Sequence, residues 1–183
     1  MKRVVLATED PTERKLRFMA LLTSSLPKQG RRPVLAGGSA VEVYLDGTLR
    51  TGGMDVVYNV KSLREALKAW RFSLGGGLRA WANEELGLAV GTVGDRLEGS
   101  YERVMTVTTD YGPATVIGIE DLIVKRLGSA KHGGAPTDMD HAYLLAKSQG
   151  DRIDWPYLQE EAEGAHVGDY LAKLKTLLAK GTG

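Results

Sequence analysis

The chain contains no cysteine, which excludes disulfide scaffolds, thiolate metal sites and cysteine nucleophiles together. It also lacks any apolar run near the roughly 20 residues that span a bilayer, and the apolar stretch after Lys2-Arg3 is too short for the core of a signal peptide. No membrane association and a cytoplasmic location are therefore expected. Charge of one sign is not in excess either. The 24 Lys and Arg nearly balance 23 Asp and Glu, so contact with a polyanion must come from a local patch. Internal repeats and low-complexity tracts are absent. What remains is 183 residues, 43% of them apolar, enough for one core or for one core with a small helical annex.

Along the chain, Asp10-Pro11-Thr12-Glu13 reads as a helix start, with Asp10 as N-cap and Pro11 in the first turn, and Leu16, Met19, Ala20 and Leu22 recur at helical spacing up to Leu26-Pro27. A short strand over 33–36, a short helix over 40–45 and a valine-rich strand over 54–60 follow. Ser62-x-x-Glu65 has the form of a capping box for a helix with Leu63, Leu67 and Trp70 on one face. Glycines 75 to 77 interrupt the pattern. Strands are predicted over 88–93, 103–109 and 114–117, the last after the Asp110-Tyr111-Gly112-Pro113 turn. Helical patterns over 120–131, 137–147, 156–163 and 167–179 complete the chain. The shift from strand-rich to helix-rich sequence predicts an α/β core over 1–119 and a C-terminal helical subdomain over 120–183 packed on that core.

The most informative window is Gly37-Gly38-Ser39 after the apolar segment Val34-Leu35-Ala36. Two glycines permit a tight turn and leave backbone N–H groups bare at a helix N-terminus, an arrangement that suits phosphate, and Ser39 adds a hydroxyl. On its own the tripeptide is better read as a strand-to-helix turn with Ser39 as N-cap. Arg50-Thr51-Gly52-Gly53-Met54-Asp55-Val56-Val57 follows, with Asp55 on the strand expected beside that turn.

Taken together these segments resemble the nucleotidyltransferase superfamily, and in particular its minimal branch related to abortive-infection toxins. The resemblance runs over residues 30–150 and continues through Arg79-Ala80-Trp81 and Leu86 to Gly94. It implies an α/β fold of α+β type, with a small mixed sheet flanked by helices and a C-terminal helical subdomain. It implies that Gly37, Gly38 and Ser39 hold a nucleoside triphosphate and that Asp55 is the catalytic magnesium ligand. The family's pattern also has a carboxylate two residues before Asp55, where strand alternation puts both on one face, and a third on a neighbouring strand. Glycine stands at both, Gly53 and Gly91. A cation held by Asp55 alone depends on nucleotide phosphates for most of its ligands. Glu42, Asp46, Glu84 and Asp95 have no spacing that would make them substitutes and read as solvated charges.

Lys125 and Lys131 lie on the helix that begins near Glu120-Asp121, whose buried face is expected to carry Ile123, Leu127 and Ala130; both lysines are candidates for phosphate contact. Asp138-Met139-Asp140-His141 reads as an acidic helix start rather than a metal site, and His132 and His166 as surface residues. The expected function is that of a nucleotidyltransferase-like protein that binds a nucleoside triphosphate, with RNA or protein as candidate acceptors and Mg2+ as the implied cofactor. The alternative is a catalytically degenerate protein that binds nucleotide or a partner, for instance as a toxin–antitoxin component.

Overall fold

The computed structural model describes residues 2–27, 31–75, 80–135 and 137–181. Gly76, Gly77 and Arg79 lie outside the described residues. The chain divides into two compact units, Met1–Ile117 and Gly118–Gly183.

The first unit is built on one mixed sheet. A short helix α1 (Lys2–Leu6) precedes α2 (Pro11–Ser25). Asp10 caps α2 as its sequence predicts, its carboxylate accepting the Glu13 N–H at 2.7 Å. Strand β1 (Val34–Ala36) runs directly into α3 (Gly37–Tyr44), and β2 (Met54–Val57) into α4 (Val60–Ala69). The remaining strands are β3 (Ser73–Leu74), β4 (Ala80–Asn83), β5 (Leu88–Gly94), β6 (Met105–Thr109) and β7 (Gly112–Val116). Their order is β3-β4-β5-β2-β1-β7-β6, which puts β2 in the middle. It lies antiparallel to β1 and parallel to β5.

Two expectations fail at α4. The helix begins at Val60, before Ser62, because the side chain of Asn59 accepts the Ser62 N–H at 3.0 Å and so caps it earlier; the valine-rich strand correspondingly stops at Val57. Leu63 and Leu67 are fully buried as their spacing requires, each worth about 1.5–3 kcal/mol of apolar transfer. The two short strands β3 and β4 have no sequence signal of useful length. They form the edge ladder beside β5.

The second unit contains α5 (Ile119–Lys131), α6 (Thr137–Gln149), a 3-10 turn over Gly150–Arg152, α7 (Trp155–Gly164) and α8 (Gly168–Lys180). Leu122, Ile123, Leu127, Leu145, Leu158, Leu171 and Leu174 form its core. Its acids stand in the first turns of α5 and α6, as the sequence predicts, and three of them also have partners within the unit. Asp138 is buried and paired with Arg126 at 2.8 Å, Asp121 accepts the Tyr157 hydroxyl at 2.9 Å, and Glu120 accepts the Asp154 N–H at 2.9 Å. No helix among the described residues is long and apolar enough to cross a membrane.

Candidate functional site at the central strand

The turn from β1 into α3 and the start of β2 meet at the middle of the sheet. Asp55 pairs with Ala36 on one side and Gly91 on the other. Met54 and Val56 are buried, so alternation turns the Asp55 side chain to the opposite face of the sheet. Gly37 has φ +63, the left-handed region where a side chain is strained, and a Cβ there would fall on the Asp55 carboxylate. A Cβ at Gly91 would lie 2.7 Å from Asp55 Oδ1. The carboxylate therefore occupies a slot that exists because both neighbouring positions lack side chains. Ala36, not Ser39, stands at the N-cap of α3 and has no side-chain acceptor to offer. The first N–H groups of the helix must find acceptors elsewhere, and Asp55 stands against that turn.

Gly38 and Ser39 serve a second contact. A Cβ at Gly38 would come within 2.9 Å of the Thr51 methyl, so this glycine admits the Thr51 loop. Ser39 is fully buried; its hydroxyl donates to the Gly53 carbonyl at 2.6 Å and lies 3.2 Å from Thr51 Oγ1. With its single proton given to Gly53, the hydroxyl has none for a phosphate oxygen. Any anion at this turn would be met by backbone N–H.

Beneath the turn lies a polar cluster that the sequence did not reveal. Glu42, expected as a solvated charge, is fully buried. Its Oε1 accepts the Thr12 hydroxyl at 2.7 Å, and its Oε2 accepts Lys15 Nζ at 2.6 Å, the Thr51 N–H at 3.0 Å and the Thr51 hydroxyl at 2.9 Å. Lys15, also buried, donates to the Thr51 carbonyl at 2.8 Å. Burial works against the Glu42 charge, but the hydrogen bonds from Lys15, Thr12 and Thr51 outweigh it and hold the carboxyl below its ordinary pKa. The one sequence signal was that Glu42 is the single charge in the otherwise uncharged stretch Gly37–Tyr44; that seven of these eight residues are buried, so that the acid needs internal partners, is seen only in the structure. Asp46, Glu84 and Asp95 are exposed as expected, and Asp95 also accepts the Val60 N–H at 2.7 Å.

Of the other candidates, Lys131 in the helical unit donates to Asp169 at 2.8 Å and to the His166 carbonyl at 2.7 Å, and Lys125 is half-buried on α5. His132 and His166 are exposed. Burial, and then the Arg126 charge, push the His141 pKa down.

No family model matches the chain, and no curated protein does. Solved structures do. The crystal structure of the aminoglycoside nucleotidyltransferase ANT(2'')-Ia in complex with adenylyl-2''-tobramycin aligns with a TM-score of 0.58 at 13% identity, over 87% of this chain and 98% of that one. The solution structure of antibiotic-resistance factor ANT(2'')-Ia gives 0.55 at 14%, over 94% and 98%. An antigenic nucleotidyltransferase-like protein from Paracoccidioides brasiliensis gives 0.52 at 12%, over 85% and 94%. The chain thus has the nucleotidyltransferase fold.

The magnesium that this fold implies does not fit the residues present. Asp55 is the one acid in the slot, glycine is its cross-strand neighbour, and among the described residues no group of three or more His, Asp or Glu is placed to hold a metal ion.

Proposed function

We propose that this protein binds a nucleoside triphosphate at the Gly37-Gly38-Ser39 turn without a resident catalytic metal, and that it transfers nucleotide poorly or not at all. The observation that supports the reading is the glycine-lined start of α3, which its own N-cap side chain does not cap, at the central strand of a nucleotidyltransferase fold. Backbone N–H groups at a helix N-terminus favour an anion whether or not carboxylates stand nearby. Asp55 is the acid at the expected position, and alone it cannot fix a cation against both the attacking and the departing oxygen. Its negative charge instead opposes a metal-free phosphate beside it. Lys125 and Lys131 enter the proposal as phosphate-contacting cations to be tested by alanine substitution. RNA and protein are the candidate acceptors for any residual transfer, and a toxin–antitoxin role is the wider context to test.

Calorimetric titration of ATP and GTP, with magnesium and with chelator, tests the reading on the wild type and on Asp55→Asn. The wild type is expected to bind in both conditions, and Asp55→Asn to bind metal-free nucleotide several-fold more tightly as the repulsion is removed. Nucleotide binding that requires magnesium and disappears in Asp55→Asn, together with turnover onto RNA, protein or an aminoglycoside, would make Asp55 a metal ligand and the protein an active transferase. Absence of binding by either protein removes the phosphate site itself.

A further inference from the structure

We infer that Lys15 and Glu42 are positioning residues that set the Thr51–Asp55 segment against the turn at Gly37; this rests on the nucleotide-binding reading above. Between Leu45 and Gly53 the chain is turn and bend, with no ladder to fix it. Three backbone groups of this segment are nevertheless held by side chains. Glu42 takes the Thr51 N–H at 3.0 Å, Lys15 donates to the Thr51 carbonyl at 2.8 Å, and Ser39 donates to the Gly53 carbonyl at 2.6 Å. The holding groups come from α2 and α3, and the held segment leads within two residues into Asp55.

The placement matters because clearances here are small. The Thr51 methyl borders Gly38, where a Cβ would approach it to 2.9 Å, and Asp55 fills the space that Gly37 and Gly91 leave. A slide of the loop by an ångström would change both the border of the turn and the seat of the carboxylate. Stability is a poor reason for such a pair. Apolar residues of similar volume commonly replace a buried ion pair with no loss. What apolar residues cannot do is grip the N–H and the C=O of the same loop residue.

That difference supplies the test. The double variant Lys15→Met/Glu42→Leu removes both charges together, and urea unfolding checks that it remains cooperatively folded. Two readouts then follow: calorimetric affinity for ATP, and the carboxyl carbon resonance of Asp55, assigned by its absence from Asp55→Asn. The double variant is expected to lose tenfold or more in ATP affinity and to show a displaced, broadened Asp55 resonance. ATP affinity within twofold of wild type with an unmoved resonance would leave the pair a merely structural feature and overturn the inference. If the wild type itself binds no ATP, the nucleotide reading fails and the Asp55 resonance alone decides: moved supports positioning, unmoved refutes it. Should the double variant not unfold cooperatively, Glu42→Gln replaces it under the same two criteria.

Discussion

Two carboxylates of the α/β unit, Asp55 and Glu42, occupy opposite kinds of surroundings. Glu42 is fully buried and takes four hydrogen bonds, from Thr12, Lys15 and twice from Thr51. Asp55 is half-buried on the central strand, and the positions that press on it, Gly37 and Gly91, carry no side chain. The acid that the family resemblance marks for chemistry fills a slot left by two glycines; the acid that looks dispensable is the one the fold encloses. Glu42 is fixed by donors from two segments of chain, whereas the seat of Asp55 depends on two neighbouring positions having no side chain.

That contrast is sharpest when one side of the buried pair is removed. Lys15→Met leaves the Glu42 charge enclosed without its cation and should cost about 3–5 kcal/mol, read from urea unfolding. A loss under 1 kcal/mol would mean that water reaches Glu42 readily and that the contrast is one of degree.

Next in size is Gly37→Ala. It imposes a side chain at φ +63 and drives it into the Asp55 carboxylate, so a loss of at least about 1–2 kcal/mol is expected. Thermal unfolding measures it. If Gly37→Ala/Asp55→Ala recovers part of the loss, the two residues share the slot; strict additivity of the two changes would separate them.

The two glycines at expected ligand positions should respond differently. At Gly53 a Cβ meets only the Ala89 carbonyl at 3.7 Å, an ordinary contact, whereas at Gly91 it meets Asp55 Oδ1 at 2.7 Å. Gly53→Asp should therefore change stability by no more than about 0.5 kcal/mol and tighten magnesium binding in the presence of nucleotide. Gly91→Glu must displace Asp55 first and should destabilise. Equal tolerance at the two positions, measured by unfolding midpoints and magnesium titration, would show that the Asp55 side chain is not seated as described.

The smallest effect is with pH. Because the Glu42 carboxyl is held below its ordinary 4.5, its contribution is fully present above that value and disappears as pH falls through its folded-state pKa. Melting temperature between pH 6 and 3 should fall more steeply in the wild type than in Lys15→Met/Glu42→Leu. Parallel profiles would place the acid sensitivity elsewhere, for instance in the exposed Lys131–Asp169 pair, where Asp169 is also held low by its hydrogen bond from Lys131.

The amino-acid order alone settled features whose causes are local. Asp10-Pro11 starts α2, glycines end β1, β-branched runs make β2, β5 and β7, and spacing buries Leu63 and Leu67, because caps, φ preferences and side-chain periodicity act within a few residues. It also marked Gly37, Gly38, Ser39 and Asp55 as one group. Only the tertiary structure decided what those residues do to one another. That Gly91 lies beside Asp55 follows from the parallel pairing of β2 with β5 across 36 positions of sequence. That Lys15 and Glu42 meet, 27 residues apart, follows from the packing of α2 on α3. The short strands β3 and β4, at one end of the sheet, form because a neighbour offers a ladder. A charge is buried or solvated according to which distant donors the fold brings to it, and no window of sequence contains that information.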